Sequence, residues 1–186
     1  AKELVADTKD DYKTAEWYEM LDFESEPIMY GLDRKNDSYM PRERGIIIHE
    51  ILSNIKTFDE SESVLDKYID DGIIGEDEAK YLLNKFNEIA NLKEIKEAYS
   101  KDAIVKNEMS ILTPKGMLRP DRYVELEDKV VVIDYKTGTH REEYCSKQRE
   151  YMFALQDMGI RKNIEGYLLY IGEKIEIIPV FMDRLF

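Results

Sequence analysis

The four residues Val130-Val131-Val132-Ile133 constrain this chain more than any other feature. A strand that is apolar at every position is covered on both faces. The run therefore excludes an open sheet with one wet side and requires a layer above and a layer below. Its neighbours supply the rest of the sheet. Residues 104–112, 118–126 and 130–135 read as strands. Thr113-Pro114-Lys115-Gly116 is a turn signal, and Glu127-Asp128 is a short polar break, so the three strands form an antiparallel meander. A helix is expected over 142–158, stopped by Gly159, and then two further strands over 165–171 and 175–180.

Upstream the apolar residues recur at helical spacing. One helix starts after Pro41 and carries Ile46, Ile47, Ile48, Ile51, Leu52 and Ile55; a second covers 61–71, with Val64, Leu65, Tyr68 and Ile69 inside and Gly72 as its stop. A third starts near Gly75, with Glu76, Asp77 and Glu78 in the first turn where the helix dipole favours acids, and runs through Tyr81, Leu82, Phe86 and Ile89. A short fourth is expected over 92–99. The whole is an α/β layered domain: a mixed sheet flanked by helices over 101–186, preceded by a helical block over 41–100. Residues 1–40 read as a connector or outer layer, with Trp17, Tyr18, Met20, Leu21 and Phe23 available to pack on a core.

At 186 residues the chain is one domain, long enough to bury a substantial core. No apolar run approaches the ~18 residues of a membrane span. The single Cys145 excludes an intramolecular disulfide and an all-cysteine metal site, and points to the reducing cytoplasm. The first residue is Ala1 rather than Met, as expected of a piece of a longer protein or of a processed or tagged chain. The net charge of −13 is unfavourable for a nucleic-acid binder, but it is unevenly spread. Residues 1–100 hold 13 Lys and Arg against 25 Asp and Glu, whereas 101–186 hold 14 against 15. The acidic half reads as the solvated face of the helical block. The second half is near neutral, which implies weak affinity for DNA unless a partner or attached motor holds the strand.

The carboxylates of the meander carry the chemistry. Paired across a turn at Glu127-Asp128, Asp121 falls opposite Asp134; paired across a turn at Pro114-Lys115, Glu108 falls opposite Asp121. Opposed side chains have Cβ atoms roughly 4.5–5.5 Å apart, and like charges there are destabilising. A divalent cation with oxygen ligands would neutralise such a row. Lys136 lies two residues beyond Asp134, on the same face of the strand. A metal that acidifies water, with an ammonium that stabilises developing charge, is a phosphodiester-hydrolysing arrangement. The competing reading is a sheet edge whose acids are offset by Lys136 and Arg119, and a single bulge in either hairpin shifts the register.

Arg119-Pro120-Asp121-Arg122 followed by Ile133-Asp134-Tyr135-Lys136-Thr137-Gly138 resembles the PD-(D/E)XK signature in its RecB-like form. Gly45-Ile46-Ile47-Ile48-His49 is similar to that family's Gly-x-x-x-His helix motif, and Gln148 with Tyr151 to its Gln-x-x-Tyr motif. Asn107-Glu108, the Thr-Pro-Lys-Gly turn, Tyr151-Met152 and Gly166-Tyr167-Leu168-Leu169-Tyr170 look like the C-terminal nuclease domain of AddA/RecB-type, UvrD-like helicase–nucleases. The resemblance spans roughly residues 41–172. It implies a restriction-endonuclease-like PD-(D/E)XK core and a Mg- or Mn-dependent deoxyribonuclease acting exonucleolytically in DNA end processing and recombinational repair. A helicase motor on the same polypeptide and an AddB-like subunit would be its partners. His49, Asp121, Asp134 and the Tyr135 carbonyl would hold the metal, with Glu108 a further candidate. Asp121, Asp134 and Lys136 would be catalytic. Gln148 and Tyr151 would contact the substrate backbone or brace the site, beside Arg119. Gly45 would let the His49 helix approach closely. Relatives that hold an iron–sulfur cluster use four cysteines; one cysteine implies no cluster here.

Each of these residues also has a plainer reading. A lone histidine on an apolar helix is ordinarily a satisfied core residue. His49-Glu50 is not a zinc-protease motif, because Ser53 stands where the second histidine would be. Tyr144, Tyr151 and Leu155 form a stripe that fits plain core, and His140 reads as a solvated loop residue. At the level of function, the rivals are a PD-(D/E)XK-fold module that has lost catalysis and only guides DNA or a partner, and an acidic helical interaction domain with a coincidental Asp-x-Lys.

Overall fold

A computed structural model describes residues 41–114 and 116–182. The aromatic segment within residues 1–40 lies outside the described residues. Helix α1 spans Pro41–Ser53, α2 spans Ser61–Asp70 and α3 spans Glu76–Ala90. Gly72, at φ 69°, takes the left-handed conformation that ends α2. The helix expected over 92–99 is only a 3-10 turn, Lys96–Tyr99. So short a segment cannot nucleate an α-helix by itself; burial of Ile95, Ala98 and Tyr99 against the block holds it instead.

Strands β1 (Ile104–Asn107), β4 (Arg122–Glu125), β5 (Lys129–Lys136), β6 (Asn163–Ile171) and β7 (Ile175–Val180) form one mixed sheet in the order β1-β4-β5-β6-β7. β1, β4 and β5 are antiparallel neighbours, the expected meander. β5 and β6 are parallel, joined by α4 (Glu142–Asp157), since parallel neighbours need a crossover. Two expected strands are broken. The segment 104–112 divides at Glu108, and 118–126 divides before Arg122, so that β2 (Ile111–Thr113) and β3 (Gly116–Leu118) peel off as a separate two-stranded hairpin. The break leaves the register unchanged. Ile111↔Leu118 in the hairpin and Asn107↔Arg122 in the main sheet share the register of the Thr113↔Gly116 pair, and Arg122↔Ile133 follows from the turn at Glu127-Asp128.

The fully apolar run behaves as its composition requires: Val130, Val131, Val132 and Ile133 are all 0–1% exposed. Val131, Ile133 and Tyr135 point into a core shared with α1, α2 and α3, while Val130 and Val132 point into a second core beneath α4. α4 lies unusually close to β6. A Cβ on Gly166 would collide with the Met152 sulfur and crowd Gln148 Nε2, so any larger residue there must push those side chains aside. On the other face Arg122, fully buried, ties the layers together. It donates to the carbonyls of Ile55 (2.8 Å), Lys56 (2.6 Å) and Ala98 (3.0 Å) and to Asn107 Oδ1 (3.3 Å), and its guanidinium lies 3.9 Å over the Tyr99 ring. Among the described residues no helix is long and apolar enough to cross a membrane.

Candidate active site

Strand alternation sends Asp134 and Lys136 to the α4 face of β5, at the end of the sheet where β4 begins. Asp121 stands one step before β4, opposite Asp134 by continuation of the β4–β5 ladder. Its Oδ2 accepts a 2.6 Å hydrogen bond from the Tyr135 backbone N–H, which fixes the carboxylate against β5. Glu108 stands one step past β1 and its backbone N–H donates to the Asp121 carbonyl at 2.9 Å. The row of three acids across three neighbouring strands is therefore present. Glu108 has φ 54°, the left-handed region that a non-glycine residue occupies at a cost of roughly 1–3 kcal/mol. The conformation turns its side chain toward Arg119, whose Nε lies 2.7 Å from Glu108 Oε2.

α1 delivers His49 to the same point from the helical block. Ile48, Ile51 and Leu52 anchor the helix in the core, and His49 Nδ1 comes to 3.5 Å from Asp121 Oδ2. The Tyr135 ring meets the imidazole edge-on at 5.9 Å, and His49 is 4% exposed. Among the described residues its Nε2 is buried with no hydrogen-bond partner, which a satisfied core histidine would have. Gly45, one turn earlier, is buried in α1. Lys136 Nζ pairs directly with Asp134 Oδ2 and sits 4.7 Å from the Tyr144 ring centre.

Burial and mutual charge set the protonation of the cluster. Burial opposes the charge on His49, but Asp121 beside it outweighs burial and raises the imidazole pKa. Burial likewise opposes ionisation of Asp121, yet His49, Lys136 and the Tyr135 N–H together hold its carboxyl below the usual range. Asp134 goes the other way. Burial pushes it up, and the charge on Asp121 adds to burial despite the opposing Lys136 and Lys147. Lys136 is raised because Asp134 and Asp121 more than offset its desolvation. Glu108 is also raised, by burial and then by Asp121. The two central carboxylates are thus driven apart, one firmly ionised and one reluctant, as is common in sites that handle protons or cations.

Gln148 and Tyr151, on one face of α4, are 0% and 1% exposed. Gln148 Nε2 donates to the Val132 carbonyl at 2.7 Å, pinning α4 to the strand that carries Asp134 and Lys136. In this arrangement both residues support the site from beneath. His140 is exposed in the loop, though its Nδ1 lies 2.9 Å from the Tyr170 hydroxyl. Three neighbours of the site carried no assignment from sequence. Arg122 stood inside the quoted motif without a role. Tyr99 bonds the Tyr135 hydroxyl at 2.7 Å. Lys147 has its ammonium over the Tyr151 ring. Only the position of Lys147 beside Gln148 on a helix face was a usable signal.

As the side chains stand, no three His, Cys, Asp or Glu residues among those described converge so that they could hold one ion. The donors are engaged with one another: Asp134 with Lys136, and Asp121 with His49 and the Tyr135 N–H. Searched against known protein families and characterised proteins, the chain matches none.

Proposed function

We propose that this domain is a Mg- or Mn-dependent deoxyribonuclease of the PD-(D/E)XK class, RecB-like, serving as the nuclease domain of a helicase–nuclease that processes DNA ends. One observation carries the reading: Asp121 and Asp134 sit side by side on adjacent strands, with Lys136 on the same face and His49 arriving from a separate helix. A buried and a partly buried carboxylate, an imidazole and the Tyr135 carbonyl are donor types suited to a hard divalent cation. His49 faces Asp121 through Nδ1, and its buried Nε2 has no partner among the described residues. Asp121, Asp134, His49 and the Tyr135 carbonyl would hold the ion, and Glu108 is the nearest further carboxylate.

Such an ion supplies acidification of water and stabilisation of charge on phosphate oxygens. The rest falls to the chain. Asp121, held ionised, gives a permanent anionic ligand. Lys136, held protonated, can orient the attacking water and offset charge on the phosphate. Gln148 fixes β5 beneath α4, so that Asp134 and Lys136 keep their spacing.

A second reading has one observation in its favour. The cluster is charge-compensated internally, acid against lysine and acid against histidine, which equally suits a module that guides DNA without cutting it. End-labelled single- and double-stranded DNA at low salt, with Mn, with Mg and with EDTA, separates the two. Metal-dependent cleavage that is lost in Lys136→Ala supports the nuclease. Binding without cleavage at high protein concentration, with a cation-dependent change abolished by Asp134→Asn, supports the guiding module.

A further inference from the structure

Residues 144, 147, 148 and 151 are neighbours on the surface of α4. Tyr144 underlies the Lys136 ammonium, Gln148 is locked to Val132, and Tyr151 is buried. Lys147 is only partly buried, as is Tyr144, and it is the charged member of the group. Its Nζ lies 5.7 Å from the centre of the Tyr151 ring, so the side chain lies along the helix toward the acids rather than out into water. Tyr144, one turn earlier on the same helix, lies against the Lys136 ammonium, so Lys147 stands beside the site.

The other cations beside the acids are committed. Lys136 pairs with Asp134, Arg119 with Glu108 and His49 with Asp121. Lys147 makes neither a hydrogen bond nor an ion pair among the described residues. A strand approaching this site brings one negative charge per phosphate toward a row of carboxylates, in a chain of net charge −13. Without a free cation at the rim the approach is repulsive. An ammonium held over an aromatic ring is partly pre-oriented, so little side-chain freedom is lost when it meets an anion.

We infer that Lys147 is a phosphate-contacting residue, which engages the backbone of a single DNA strand at the rim of the acid cluster and sets where that strand lies relative to Asp134 and Lys136. The inference rests on the nuclease reading above.

The test is fluorescence anisotropy of a fluorescein-labelled single-stranded oligonucleotide in EDTA over a salt series, with Mn-dependent cleavage of the same strand in parallel. Lys147→Ala is expected to weaken binding on the order of tenfold at low salt, the worth of one charge-assisted contact. The slope of log K against log salt should become shallower by about 0.7, the value for one phosphate on a single strand. Lys147→Arg should restore both, and Lys80→Ala, on α3, should leave the slope unchanged. In cleavage, KM should rise more than kcat falls. Circular dichroism melting of Lys147→Ala should match the unaltered chain. If the unaltered chain binds and cuts while Lys147→Ala keeps the full slope, the inference fails and the nuclease reading stands. An equal loss in Lys80→Ala also overturns it, because the effect would then be one of total charge. If the unaltered chain neither binds nor cuts, both fall together.

Discussion

Asp121 and Arg122 are adjacent in sequence, and each brings a charge into the interior on an opposite face of the sheet. Arg122 is surrounded by neutral acceptors. Three backbone carbonyls and the Asn107 amide oxygen take its protons, the Tyr99 ring covers its plane, and only Nε lacks a partner. Asp121 is surrounded by charges: His49, Lys136, Asp134 and Glu108. The first centre has nearly all its bonds and little left to offer a ligand. The second is compensated but incomplete, with a carboxyl at Asp134 that resists ionisation and an imidazole nitrogen at His49 that bonds to nothing. Buried charge joined to the backbone holds layers together; buried charge facing other buried charge is a place where an ion or an anion of the substrate changes the balance.

The largest effect should come from breaking the first centre. Arg122→Ala leaves the carbonyls of Ile55, Lys56 and Ala98 without their donor, and each orphaned buried group costs about 1–3 kcal/mol. A loss of at least ~3 kcal/mol is expected in urea unfolding. Asp134→Asn should cost less than Arg122→Ala in metal-free protein, because the carboxylate it removes is disfavoured by burial and by Asp121 although it pairs with Lys136. What that variant should lose is stabilisation by cation, about 2.7 kcal/mol in the unaltered chain at a hundredfold excess over Kd. If Mn or Mg raises the melting temperature of both proteins equally, the ion binds elsewhere and the contrast between the two centres is wrong.

Gly166→Ala tests the layer under the site. The new methyl meets Met152 and Gln148, and overpacking of that kind costs roughly 1–3 kcal/mol. Because Gln148 holds β5, cleavage should fall further than stability alone explains; equal falls in both would show that α4 only fills space. The smallest effect belongs to the opposite end of the sheet, where Lys162 Nζ lies 2.9 Å from Glu125 Oε1. The hydrogen bond from Lys162 holds the Glu125 carboxyl below its usual range. Its contribution is therefore present above the ordinary glutamate value and lost as pH falls through the lower folded one. Both side chains are about a third exposed, so Lys162→Ala should cost under about 1 kcal/mol, and the difference from the unaltered chain should shrink in acid to what the Lys162 bond to the Leu126 carbonyl contributes.

Much of this was legible in the sequence, and for identifiable reasons. The turn residues at Pro114-Lys115 and Glu127-Asp128 set the strand registers, so the row Glu108, Asp121, Asp134 could be read without coordinates. The apolar run at 130–133 announced two covered faces. The breaks at Glu108 and before Arg122 could not be read, because a residue of any type can leave a sheet when its neighbour requires it, and glutamate carries no left-handed signal. The 3-10 turn at Lys96–Tyr99 was equally hidden, since tertiary burial rather than local propensity decides so short a segment. Arg122 stood inside the Arg119-Pro120-Asp121-Arg122 motif without a role of its own. Nothing in its neighbours says that three carbonyls from two remote loops converge on it.

The hydrogen bond from the Glu108 N–H to the Asp121 carbonyl closes the base of the excursion that contains β2 and β3. Ile111, buried in the core beneath α4, moors the near side of that excursion, while Leu112 and Met117 near its tip face solvent. The turn brings the two acids into step, and the bond beneath them keeps them so at the base of the loop. The tip should therefore behave as a cassette: its sequence can be exchanged, or a reporter grafted there, with the spacing of the acid row kept, so long as the mooring at Ile111 and the clasp at its base survive.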